Sequence, residues 1–210
     1  MAIWCKALAV SACVVLAGGL AAGLADGSAQ PPEGAKPTAP SAPPAAAEGY
    51  KIDSAHSSVI FRIKHNGLAN FYGRFDQISG RFAYDPASPD SAMVDATIRV
   101  GSIHTGADGR DNALSKAAYF NSEKYGTITF KGTGAKSAGG KVTITGDLTM
   151  LGVTKPVTAT ITDSATKGTN AGLEAVMNIK RSDFGMTEGI QNGGLGDEVQ
   201  VTVAVEGGKK

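Results

Sequence analysis

Cysteine is almost absent from this chain, and the two that it has, Cys5 and Cys13, both lie close to the amino terminus. Removal of that segment would leave a mature protein with no thiol, which excludes disulfides and cysteine-ligated metals. Aromatic residues are also few, at 6% of the 210 residues. A core therefore has to be built mainly from Val, Ile, Ala and a few Phe, with stability coming from sheet pairing and burial.

An excess of charge of either sign is missing as well. The chain has 20 Lys and Arg against 19 Asp and Glu, and no dense basic block precedes Lys209–Lys210. This balance argues against nucleic acid as a partner. Catalytic signatures are missing too, with no Gly-x-Ser-x-Gly or His-Glu-x-x-His sequence, and His56, His65 and His104 lack the spacing of metal ligands. We predict no catalytic residue, no metal and no cofactor.

The first part of the chain has the composition of a targeting segment and a linker. Residues 1–25 carry one early charge, Lys6, followed by an uncharged run rich in Ala, Leu, Val and Gly. This pattern predicts a cleaved signal peptide, although a retained membrane anchor and a lipoprotein box ending at Cys13 stay open. Residues 26–49 are rich in Pro and Ala and predict a disordered linker. We expect one domain over residues 50–207.

That domain has the alternating pattern of β-strands. Val59, Phe61, Ile63 and His65 point to one side of an extended strand, which ends at the turn-forming pair Asn66–Gly67. Including this one, eight alternating runs lie at 59–65, 75–84, 93–100, 127–131, 142–150, 157–161, 173–179 and 199–205. Because no long helical pattern separates them, the strands should be antiparallel, in a closed barrel or a two-sheet sandwich. A short helix is expected near residues 108–116.

A strand whose apolar face ends in an imidazole suits the wall of a cavity for an amphiphile. Burial of an isoprenoid or acyl chain contributes about 0.8 kcal/mol per methylene. We predict that His65 and Arg110 hold a polar head. The alternatives are that His65 is a satisfied histidine at a strand end and that Arg110 pairs with an acid to pin its loop. The residues expected to contact the apolar tail are Phe61, Ile63, Ile98, Phe130, Met177 and Phe184.

Several ordered motifs resemble the YceI-like family of periplasmic lipid-binding proteins. They are Asp53-x-x-His56-Ser57-x-Val59-x-Phe61-x-Ile63-x-His65-x-Gly67, Arg110-Asp111-x-x-Leu114, residues 123–130, residues 146–157, Arg181-Ser182-Asp183-Phe184-Gly185-Met186 and Gly196-Asp197-Glu198-Val199. The resemblance implies an all-β, eight-stranded antiparallel, lipocalin-like barrel with a short helical excursion. It also implies an elongated pocket for polyisoprenoids or similar long-chain lipids, and no catalytic residue.

We therefore expect non-catalytic binding, for carriage or storage, of a long-chain isoprenoid or fatty lipid in the periplasm. One alternative is an enzyme of unrecognised type acting on such a lipid, with His65 and Asp111 as its acid and base. Another is a solid β-sandwich that serves as an interaction module. A transient contact with a membrane or membrane protein, and a homodimer, also stay open.

Overall fold

A computed structural model describes residues 49–209. The predicted signal peptide, and the predicted linker apart from Gly49, lie outside the described residues. The described part contains one helix, α1 (Asp108–Leu114), and short 3₁₀ turns at Ser54–His56, Pro89–Ser91, Val100–Ser102 and Arg181–Phe184. Its strands are β1 (Tyr50–Ile52), β2 (Ser58–His65), β3 (Ala69–Phe75), β4 (Ile78–Ala83), β5 (Met93–Arg99), β6 (Ile103–His104), β7 (Thr127–Ala138), β8 (Lys141–Met150), β9 (Val153–Lys167), β10 (Asn170–Lys180) and β11 (Leu195–Gly208).

The strands form one antiparallel sheet that closes on itself. β1 and β2 are separated only by a 3₁₀ turn, and both pair with β11. β4 pairs with β1, and β3 pairs with β2. Next to them in the sheet, β5 pairs with β4, and β6 pairs with β3. β1 and β2, β3 and β4, and β5 and β6 therefore form three interrupted strands of two segments each. With the continuous strands β7 to β11 they make an eight-stranded, up-and-down barrel. The closure confirms the predicted barrel and decides against the two-sheet sandwich.

The sequence pattern missed β3, which completes the interrupted strand that contains β4. The inward positions of β3 are Phe71, Gly73 and Phe75, so a glycine breaks the apolar alternation. Gly73 lies directly opposite Phe61, and the Phe61 ring occupies the space that a side chain at residue 73 would need. The interior is therefore filled at this point from the neighbouring strand, which the alternation within β3 alone does not show.

The two ends of the barrel differ in how their interiors are filled. At one end Tyr50 stacks on Phe82 with their ring centroids 5.3 Å apart, and Phe82 is 1% exposed. Val59 and Val205 are also buried in this region. At the other end β2, β3, α1 and the segment between β10 and β11 surround a cavity.

Helix α1 lies within the range predicted for it and is fastened at its amino-terminal side. The Asp111 carboxylate accepts hydrogen bonds from the backbone N–H and the hydroxyl of Thr105. Phe120 N–H in turn donates to Leu114 C=O at 3.0 Å, which holds the segment after the helix.

Over residues 49–209, no helix combines the length and the apolar character needed to cross a bilayer.

Candidate functional site

A cavity of about 400 Å³ lies at the end of the barrel beneath α1. Its walls come from the inward faces of β2, β3 and β11, from α1 and the residues that follow it, and from the segment between β10 and β11. Most lining side chains are apolar, and a few polar groups converge on the same space, which is typical of a small-molecule site. The lining residues are Phe61, Ile63, His65, Phe71, Arg110, Ala113, Leu114, Tyr119, Phe120, Met150, Arg181, Met186, Glu188, Gly189, Asn192, Gly194, Leu195 and Val199.

Aromatic rings pack β2, β3 and the segment after α1 against one another. The ring centroids of Phe61 and Phe75 are 5.8 Å apart. Phe75, which is 5% exposed, meets Phe120 edge to face, with a centroid distance of 5.6 Å and an interplanar angle of 85°. Such contacts fix ring positions as well as burying apolar area. The wall formed by β2, β3 and the segment after α1 is therefore one packed unit.

Arg110 reaches the cavity from α1. Its guanidinium lies 4.4 Å from the centroid of the Phe71 ring, a cation–π arrangement. Its Nε and Nη2 atoms donate to the hydroxyl and the carbonyl of Thr105, each at 2.8 Å. Arg110 thus helps to fasten the loop, but its partner is a threonine and not the acid that the alternative interpretation required. His65 lies at the end of β2, where it is exposed and borders the cavity.

Arg181 is the buried charged residue of the site. It is 4% exposed, its Nε donates to Gly196 C=O at 2.9 Å, and its Nη2 donates to Glu188 C=O at 3.1 Å. The Nη1 atom is buried and has no hydrogen-bond partner within residues 49–209. Burial lowers the pKa of Arg181, although the nearby Asp197, Tyr119 and Glu188 act in the opposite direction.

Asp197 supports the turn that carries Arg181. Its carboxylate accepts hydrogen bonds from the backbone N–H of Ser182 at 2.9 Å and from the Ser182 hydroxyl at 2.8 Å. Burial acts to raise the pKa of Asp197, but the two hydrogen bonds and the charge of Arg181 outweigh it and the pKa is lowered. An ionised Asp197 therefore balances the guanidinium and holds the start of the turn.

The eight predicted site residues fall into two groups. Four of them line the cavity: Phe61, Ile63, His65 and Arg110. The other four are buried elsewhere in the core: Ile98, Phe130, Met177 and Phe184. Alternation identifies an inward side chain but not its height along the barrel, so it cannot separate the cavity wall from the packed interior.

Sequence reasoning did not predict Arg181 as a site residue, although the signal was present. The inward positions of β10 run through Leu173, Ala175, Met177 and Ile179, and residue 181 continues the same alternation. A polar side chain at the next inward position repeats the placement of His65 at the end of β2. Tyr119 and Glu188 were also missed, because they lie in irregular segments that carry no periodic pattern.

The other histidines lie apart from this cavity. His56 Nδ1 is 2.9 Å from Asp53 Oδ2, and both side chains are exposed. His104 is an exposed residue of β6. In the part of the chain that the structure covers, no three His, Cys, Asp or Glu residues come close enough together to hold a metal ion.

Residues 50–207 match the model of the YceI-like domain. The chain belongs to the YceI-like family. Protein YceI of Escherichia coli O6:H1 is 39% identical over 174 residues, which cover 80% of this chain and 90% of that protein. BcnA of Burkholderia cenocepacia has a similar crystal structure, with a TM-score of 0.68 and 29% identity over 74% of this chain and 98% of BcnA. A polyisoprenoid binding domain from Saccharophagus degradans shares the fold, with a TM-score of 0.61 and 17% identity over 77% of this chain and 98% of that domain.

Proposed function

We propose that this member of the YceI-like family binds a long-chain isoprenoid or similar amphiphilic lipid without catalysing a reaction. The observation that carries the proposal is the cavity of about 400 Å³, with aromatic and aliphatic walls and a few polar side chains. The similarity in fold to the polyisoprenoid binding domain of Saccharophagus degradans supports an isoprenoid as the ligand.

The polar side chains at the start of α1 have structural partners that favour a binding role over a catalytic one. Asp111 would be the acid partner of His65 if the protein were an enzyme. Its carboxylate accepts hydrogen bonds from both the backbone N–H and the hydroxyl of Thr105. Arg110 donates to the same threonine. These side chains fasten α1 across the cavity, so the wall is organised to keep its shape around an apolar guest.

The proposal includes export and carriage or storage of the lipid in the periplasm. The support is the composition of residues 1–25, with a single early charge and an uncharged apolar run. Mass spectrometry of the mature amino terminus tests cleavage, and an intact Met1 would contradict it.

The site of a transient membrane contact is proposed to be the β2–β3 turn. Leu68 is 81% exposed at this turn, next to His65, which borders the cavity. An exposed leucine at this end of the barrel gives the protein an apolar point of contact with the bilayer that would supply the ligand.

Two measurements test lipid binding. Protein purified from its own host without detergent should release a prenyl or acyl lipid into organic solvent, which mass spectrometry would identify. Delipidated protein should then bind geraniol, farnesol and geranylgeraniol with affinities that rise with chain length until the cavity is filled, by up to about 0.8 kcal/mol per buried methylene. No extracted lipid together with no binding of any of the three alcohols would refute the proposal.

A further inference from the structure

Arg181, which lines the cavity, carries a hydrogen-bond donor that no group within residues 49–209 satisfies. Arg181 is 4% exposed, and two of its guanidinium nitrogens donate to Gly196 C=O and Glu188 C=O. The third, Nη1, is buried and has no partner in the described part of the chain, while Arg181 as a whole borders the cavity. Buried donors without partners are rare because removal from water without a replacement hydrogen bond is costly.

The arrangement around Arg181 fixes the orientation of this donor. The Nε bond to Gly196 in β11 and the Nη2 bond to Glu188 in the segment between β10 and β11 hold the plane of the guanidinium. Asp197 accepts from Ser182 N–H and Ser182 Oγ and so holds the turn in which Arg181 lies. A donor held in place by the protein needs no reordering when it meets an acceptor, which favours binding.

The composition of the wall defines the kind of acceptor. Aromatic and aliphatic side chains such as Phe61, Phe120 and Met186 provide most of the surface, so the body of the ligand must be apolar. A guanidinium donates but cannot accept, and its strongest hydrogen bonds are made to carboxylate and phosphate oxygens. In addition to Arg181, the lining includes Arg110 and His65, against a single acidic side chain, Glu188.

We propose that Arg181 Nη1 is the hydrogen-bond donor for the polar end of the ligand, which is an apolar chain that carries an accepting oxygen. This inference rests on the proposed lipid binding and adds that a pure hydrocarbon is a poorer ligand than a chain ending in a carboxylate or phosphate. Arg181 acts as a binding residue that selects the end group, while the aromatic wall selects the chain.

The test compares lipids with the same chain but different ends. Geranylgeranyl phosphate, geranylgeranoic acid and the corresponding hydrocarbon are titrated against delipidated wild-type protein and the Arg181→Met variant. Each lipid is compared with itself in the two proteins, so that differences in solubility cancel. We expect the variant to bind the phosphate and the acid at least about tenfold more weakly, the loss expected for a hydrogen bond to a charged group. The affinity for the hydrocarbon should change by much less.

Lys180→Met is the matched control, since Lys180 is the adjacent, exposed cation at the end of β10. It should leave the affinities for all three lipids close to the wild-type values. Equal losses for all three lipids in Arg181→Met, or no loss for any of them, would overturn the role of Arg181 while leaving lipid binding intact. Failure of the wild-type protein to bind any of the three lipids would instead refute the proposed function.

A second measurement does not depend on the stability of the variant. In wild-type protein labelled with ¹⁵N-arginine, the guanidinium resonances of Arg181 are followed during titration with each lipid. The phosphate and the acid should shift these resonances and slow the exchange of their protons with water, whereas the hydrocarbon should not slow it. The same response to all three lipids would show that Nη1 is satisfied without the end group and would overturn the inference.

Discussion

The aromatic ring of Phe61 lies against the backbone of Gly73, in the space that a side chain at residue 73 would fill. The two residues face each other across the β2–β3 pair. Phe61 also packs against Phe75, with ring centroids 5.8 Å apart, and it borders the cavity. Gly73 therefore sets the position of one cavity wall without lining the cavity itself.

Replacement of Gly73 by alanine should displace that wall. The new methyl group would overlap the Phe61 ring, and overpacking of this kind costs about 1–3 kcal/mol of unfolding free energy. We also expect weaker lipid binding, because the displaced ring reduces the space in the cavity. Chemical denaturation and titration with geranylgeraniol measure the two effects.

The control for this variant is Gly172→Ala in β10. The nearest atom to a methyl group there is the Val205 carbonyl oxygen, at an ordinary contact distance of 3.8 Å. This substitution should leave lipid affinity unchanged and cost little stability. If Gly73→Ala behaved in the same way as Gly172→Ala, the Phe61 ring would be free to move without consequence, and its contact with Gly73 would not fix the cavity wall.

Gly73 also shows why alternation in the sequence predicted eight antiparallel strands but missed β3. The alternation of apolar and polar residues identifies a strand whose inward positions carry apolar side chains, as at Val59, Phe61 and Ile63. It misses a strand in which an inward position is a glycine and a side chain of the neighbouring strand fills the space. The count of eight was still correct, because the missed β3 and the predicted β4 belong to one interrupted strand of the barrel. Closure itself depends on pairing between β11 and the first strands, which periodicity does not encode.

The cavity was predictable only in part for a related reason. Phe61 and Ile63 were identified from the inward face of β2, and both line the cavity. Met177 was identified in the same way but lies in the packed core, because inward direction and height along the barrel are independent. Arg181 required the alternation of β10 to be continued beyond its last apolar residue. Tyr119 and Glu188 depend on tertiary contacts of irregular segments.

Ile63 and Ile98 offer a matched test of this division. Both are inward residues that are 8% exposed, but only Ile63 lines the cavity. We expect Ile63→Val and Ile98→Val each to lower the unfolding free energy by about 0.5–1.5 kcal/mol. Only Ile63→Val should also weaken lipid binding, by up to about fourfold, since one methylene contact is worth about 0.8 kcal/mol. Denaturant titration and lipid titration of the two variants provide the comparison, and equal effects on affinity would contradict it.

The Asp53–His56 pair should give the protein a small pH dependence. The hydrogen bond to the Asp53 carboxylate raises the pKa of His56 above its ordinary 6.5, and the same bond lowers the pKa of Asp53 below 3.8. Protonation of His56 is therefore favoured in the folded state. The stabilisation by His56 is complete below pH 6.5 and is lost as the pH rises through the raised pKa, while that by Asp53 is lost as the pH falls below 3.8. Both side chains are exposed, so the effect on stability should be slight.

NMR titration of the His56 ring protons measures this shift directly. Asp53→Asn should return the pKa of His56 toward its ordinary value, because it removes the main cause of the shift. Glu206→Gln removes only a weaker electrostatic contribution and should lower the pKa of His56 by less. An equal or larger effect of Glu206→Gln would show that the hydrogen bond to Asp53 is not the dominant cause.

Leu68 should control the rate at which lipid enters the barrel, not the affinity with which it is held. It is 81% exposed at the β2–β3 turn and is absent from the cavity lining. Burial of a leucine side chain in an apolar medium is worth about 1.5–3 kcal/mol. Leu68→Ser should therefore slow the transfer of a fluorescent prenyl lipid from vesicles by roughly tenfold and leave its equilibrium affinity unchanged.

The matched control is Ile60→Ser, because Ile60 is an exposed apolar residue, 40% accessible, on the outer face of β2 and away from the turn. Equal slowing in both variants would point to general surface hydrophobicity, and an unchanged transfer rate in Leu68→Ser would remove the β2–β3 turn as the point of membrane contact.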